Sequence, residues 1–126
     1  MSDRDDSRAS EAERVYLSTL DDVAAQQVAA AAQDIVADAW MRQLEQARTL
    51  LLGSFDALWD RARARRTLSD ASDDLERLRL EIEAVEGEIE RVCLDTIARS
   101  RSVRDALDRL RTAWVDAYGL DEIEEF

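Results

Sequence analysis

The amino-acid sequence predicts an all-α fold. It is a long antiparallel helical hairpin or coiled coil with a third C-terminal helix, closing into a bundle through self-association. Three observations predict it. The 126 residues contain no proline and only three glycines, Gly53, Gly87 and Gly119, so little interrupts a helical backbone. The composition is rich in Ala, Glu, Leu and Arg, the signature of long helices. Leu75, Leu78, Ile82, Val85, Ile89 and Val92 alternate gaps of three and four, the a/d spacing of a heptad.

Taken in order, residues 1–9 are polar and charge-mixed and read as a disordered tail. Ser10 with Glu13 forms a capping box that opens a helix over 10–66, with Gly53-Ser54 as its one point of interruption. Thr19 before Asp21 and Asp22 is a second start signal. Two apolar stripes follow helical spacing. One runs Leu17, Leu20, Ala24, Val28, Ala31, Ile35 and Ala39. The other runs Trp40, Leu44, Ala47, Leu51, Phe55, Leu58 and Ala62. Residues 67–74 read as the turn, because Ser69, Asp70 and Ser72 are good N-caps.

The heptad helix then spans 75–99. Its register continues through Thr96, Arg99, Val103, Ala106, Leu110, Ala113 and Ala117. Arg99 falls on a core position, and Ser102 with Asp105 forms another capping box. A break at 99–102 and a third helix over 102–118, with Leu107 and Trp114 adding apolar surface, are therefore expected. Gly119 suits the residue that closes a helix, and 119–126 is an acidic-apolar tail. Asp38 with Arg42, Asp73 with Arg77, Asp95 with Arg99 and Asp105 with Arg109 are acid-before-base pairs that support helix.

Composition also bounds chemistry. Much of the hydrophobic fraction is alanine, and aromatics are 6%, so the core is thin and invites helix partners. All 17 basic residues are arginine and the net charge is −12. A salt-adapted halophile and a high-GC genome both produce a lysine-free chain, and the two readings stay open. Histidine is absent, which removes Ser-His-Asp catalysis, the usual zinc sites and Glu-x-x-His di-iron bundles. Cys93 stands alone without a histidine to activate it. Glu81, Glu83, Glu86, Glu88 and Glu90 read as a solvated helix face, with a divalent cation as the competing reading. No phosphate-binding glycine loop is present. No catalytic, cofactor or metal residue is assigned, and a non-enzyme is expected.

Three surfaces remain as interaction candidates. The oligomer interface is expected at Leu75, Leu78, Ile82, Val85, Ile89 and Val92. Arg61, Arg63, Arg65 and Arg66, joined across the turn by Arg77 and Arg79, form a candidate anion or partner site. The competing reading pairs these arginines with Asp56, Asp60, Asp70, Asp73, Asp74 and Glu76. Leu120, Ile123 and Phe126 form a candidate docking tail. Trp40, Trp59 and Trp114 read as core anchors.

Tyr118-x-x-x-Glu122 after a helix resembles the C-terminal signal of small helical hairpins exported by type VII secretion. Those hairpins carry Trp-x-Gly at the turn, and 67–74 has neither Trp nor Gly. The Ala-rich amphipathic helices look like phasins, which coat polyester granules, in composition alone. Neither family is assigned.

The function expected is that of a structural or adaptor protein acting through coiled-coil self-association and docking of a protein partner. The alternatives are a nucleic-acid accessory protein using the arginine tip, which is not the favoured one, and an amphipathic granule- or membrane-surface coat. No apolar run is long enough to cross a membrane, and the charged N-terminus is unlike a signal peptide, so the cytoplasm is expected.

Overall fold

Two helices, α1 (Ser2–Ala64) and α2 (Leu68–Tyr118), form a helical hairpin. The computed structural model describes residues 2–119, and no strand occurs among them. α1 is already helical at Ser2, so Ser10 and Glu13 lie inside the helix and do not open it. It passes Gly53-Ser54 unbroken: one helical glycine costs only about 1 kcal/mol relative to alanine, which a long helix absorbs. α2 likewise runs unbroken through 99–102, so no separate third helix forms. The charge that suggested a break there is met by the facing helix, as described below.

The reversal is tighter than the 67–74 turn the sequence suggests. Arg66 adopts φ 57°, the left-handed conformation usually left to glycine. The Thr67 amide then donates to the Ala62 carbonyl at 2.8 Å and the Arg66 amide to the Arg63 carbonyl at 3.3 Å. These two bonds close α1 in a Schellman motif. Thr67 turns directly into the cap of α2, its carbonyl accepting from Asp70 and Ala71, both at 3.1 Å. Ser69, Asp70 and Ser72 consequently fall within the first turns of α2.

The chain divides into two units, 35–96 and the remainder, in which α1 up to Asp34 pairs with α2 from Ile97. In unit 35–96 the core is Ala62, Ala71 and Leu75, with Phe55 and Leu58 packed against it. Leu44, Ile82 and Val92 are also buried. In the other unit Val23, Ala106 and Ala113 are buried. Among the described residues no large side chain is completely buried, so the large apolar side chains gain only part of their transfer energy.

On α2 the residues turned inward follow the heptad read from the sequence, except at Thr96, which is exposed. Leu75, Ile82, Val92, Ala106 and Ala113 are buried, and Leu78, Val85, Ile89, Arg99, Val103, Leu110 and Ala117 are half-buried. On α1 the second predicted stripe is right from Leu44 onward, but the first is not. The inward face uses Tyr16, Thr19, Val23, Gln26, Ala30, Asp34, Ala37 and Met41. Leu17, Leu20, Val28 and Ile35 point outward, Val28 and Ile35 being 72% and 71% exposed. Both stripes have helical period, so spacing alone does not rank them. α1 puts alanine and polar residues inward where α2 supplies facing side chains.

Candidate functional site

The six α2 residues expected to join two copies lie in the seam of a single chain. Leu75, Ile82 and Val92 are buried there, and Leu78, Val85 and Ile89 are half-buried. The outward-facing apolar residues lie elsewhere. In unit 35–96 the outward apolar residues include Ile35, Val36, Leu50 and Leu52 on α1 and Leu80 and Leu94 on α2. Leu80, Gly87 and Leu94 are seven residues apart and therefore share one outward helical position. In the other unit Val15, Leu17, Leu20 and Val28 do the same on α1, and Ile97 and Leu107 on α2.

Polar contacts across the hairpin hold each unit in register. Arg99 Nε donates to Asp34 Oδ1 at 2.9 Å, so the guanidinium on a core position meets a carboxylate on a core position. About one turn further along α2, Gln26 Nε2 donates to Ser102 Oγ at 2.7 Å. In unit 35–96 Trp40 Nε1 donates to Glu88 Oε1 at 3.3 Å. Arg91 also binds Glu88, and these donors, Arg91 first, hold its carboxyl below the usual range. Nothing in the 3–4 pattern distinguishes these pairs. Polar residues at seam positions were the available signal.

Near the helix ends Tyr16, Trp114 and Tyr118 form an aromatic cluster with centroid distances of 5.3, 5.6 and 4.5 Å. Tyr118 Oη points its donor toward Glu13 at 3.4 Å, long for such a bond. Loss of hydration, and then the Glu13 carboxylate, raise the Tyr118 pKa above its ordinary value. Trp114 Nε1 is buried without a hydrogen-bond partner. Of the three tryptophans only Trp114 is half-buried; Trp40 and Trp59 are exposed.

The arginine cluster divides in two. Arg77 pairs with Asp74 at 3.4 Å, and Arg79 with Glu76 and with Glu83 at 2.6 Å. Hydrogen bonding to Arg79 lowers the Glu76 pKa. Among the described residues no carboxylate lies within ion-pair distance of Arg61, Arg63, Arg65 or Arg66, and all four are exposed. Arg61 instead turns its Nε toward the Ala57 carbonyl at 3.4 Å. Trp59 and Leu68 flank the four and are themselves exposed.

Cys93 is exposed and free. Leu120, Ile123 and Phe126 lie outside the described residues. Among the described residues no group of three or more Cys, Asp or Glu is placed to hold a metal ion, and no helix is long and apolar enough to cross a membrane. Open hollows beside Arg42, Glu45 and Leu50 and beside Asp108, Arg111 and Asp116 each lie along a single helix. Compared with protein-family models, curated proteins and solved structures, the chain matches none.

Proposed function

We propose that the chain is a non-catalytic helical adaptor that works by packing its outward apolar faces against other helices, a second copy first among them. One observation carries this reading: pairing α1 with α2 leaves Val28, Ile35, Val36 and Leu50 each about 70% exposed. Scattered surface leucines need no explanation, but apolar residues recurring at helical spacing on a side away from the seam do. Alanines beside these residues, Ala24, Ala31, Ala32 and Ala39, let a second helix approach closely.

Light scattering on the purified chain, in molar salt and in dilute buffer, tests the reading. A mass of two or more chains in molar salt supports it, and a clean monomer at every concentration there removes it. The salt comparison matters because −12 of net charge repels itself in dilute buffer and is screened within about 3 Å at molar salt.

A further inference from the structure

We propose that the turn of unit 35–96 docks onto an anionic lipid surface. Arg61, Arg63, Arg65 and Arg66 meet the phosphate headgroups, and Trp59 and Leu68 enter the apolar boundary beneath them. This is independent of the self-association proposed above and rests on different residues.

The starting point is the division within the arginine cluster. Arg77 and Arg79 are neutralised by carboxylates one turn away on α2. Arg61, Arg63, Arg65 and Arg66 have no such partner among the described residues. Two of them, Arg61 and Arg63, sit in the last turn of α1, where they also complement the negative end of the helix dipole. That role needs one or two cations near the end, not four in six residues. Arg66 goes further: it holds a left-handed backbone conformation that glycine would take without strain, so an exposed cation sits where a bare backbone would fold better.

The exposed apolar neighbours choose the ligand. Trp59 and Leu68 are 41% and 39% exposed on either side of the four arginines. Tryptophan beside arginine suits a membrane interface, where the ring sits at headgroup level and the guanidinium reaches phosphate. A nucleic acid uses the arginines but gives Leu68 no place to bury. Only the turn need touch a lipid surface, and carboxylates more than about 8–10 Å away are screened at physiological salt. Asp56, Asp60 and Asp70 lie close in sequence and oppose the attraction, so binding is weaker, and falls less steeply with salt, than four arginines alone would give.

The full-length chain with Trp40→Phe and Trp114→Phe keeps Trp59 as its only tryptophan. It is mixed with phosphatidylglycerol vesicles, with phosphatidylcholine vesicles and with a single-stranded oligonucleotide. Co-sedimentation with the anionic vesicles alone, with a blue shift of Trp59 emission, is the expected result. Each arginine at an anionic leaflet multiplies partitioning about fivefold. Arg61→Gln, Arg63→Gln, Arg65→Gln and Arg66→Gln together therefore lower it several hundredfold at unchanged helical circular dichroism. Failure to bind anionic vesicles overturns the proposal. So does undiminished vesicle binding by the quadruple variant, or retention on the oligonucleotide alone, which assigns the turn to nucleic acid instead.

Discussion

The pair Arg99–Asp34 is where the hairpin's alignment can be tested most sharply. Arg99 occupies a seam position that α2 otherwise fills with Val85, Val92 and Ala106, and its side chain is 20% exposed against 49% for Asp34. Exposed ion pairs contribute about 0.2–1 kcal/mol, and breaking a fully buried one costs about 3–5 kcal/mol. With one partner half in water, the coupling belongs near the low end, about 1 kcal/mol. Asp34→Ala is expected to cost about 1 kcal/mol. Arg99→Ala costs about 1–2 kcal/mol, because the aliphatic stem is lost as well. Arg99→Leu behaves differently: it exchanges a desolvated charge for apolar contact and is expected to be neutral or stabilising by about 1 kcal/mol. Urea unfolding followed at 222 nm on the two single variants and the double variant gives the coupling directly. Additive single effects, with coupling below about 0.3 kcal/mol, would show that the contact does not hold the register, as would Arg99→Leu destabilising as much as Arg99→Ala.

Other consequences are smaller and separable. Arg66→Gly relieves a left-handed arginine and should stabilise the hairpin by about 0.5–1 kcal/mol, read as a higher urea midpoint; a loss would mean the turn is not closed as described. Gly87→Ala meets no atom within 4 Å and should gain about 0.5–1 kcal/mol as helix propensity. A loss of assembly on that substitution would place a second helix over Gly87. Tyr118 has a raised pKa, so the stability it lends is fully present below its ordinary pKa near 10 and is lost as pH rises through the higher folded value. Alkaline titration should therefore show tyrosinate absorbance rising as Trp114 emission changes. Tyr118→Phe should remove that coupling, and an unchanged coupling would contradict the contact.

α2 was legible because its apolar positions are bulky and its flanks charged, so contrast marks one face from Leu75 to Val92 and carries the register on to Ala117. The outcome at Arg99 was not legible, because the carboxylate that answers it is 65 residues away. α1 is the harder helix. Ala24, Ala25 and Ala29–Ala32 offer the same small side chain on every face, and Thr19, Gln26 and Asp34 stand at inward positions where pattern expects apolar residues. The bulkier outward stripe then reads as the core. The turn was displaced for a similar reason: sequence marks reversals by glycine, and here Arg66 takes that conformation. The arginine cluster was visible as composition, but which of its members lack a carboxylate needed the geometry.

The central claim is that one chain uses its heptad seam internally and assembles through the apolar residues facing away from it. Sedimentation equilibrium on Ile35→Glu, beside the wild-type chain in molar salt, tests this most directly. Ile35 is 71% exposed within one chain, so the variant should keep its helical circular dichroism and sediment as a monomer while the wild type sediments as an oligomer. A variant that unfolds, or one that assembles as well as the wild type, would contradict the account.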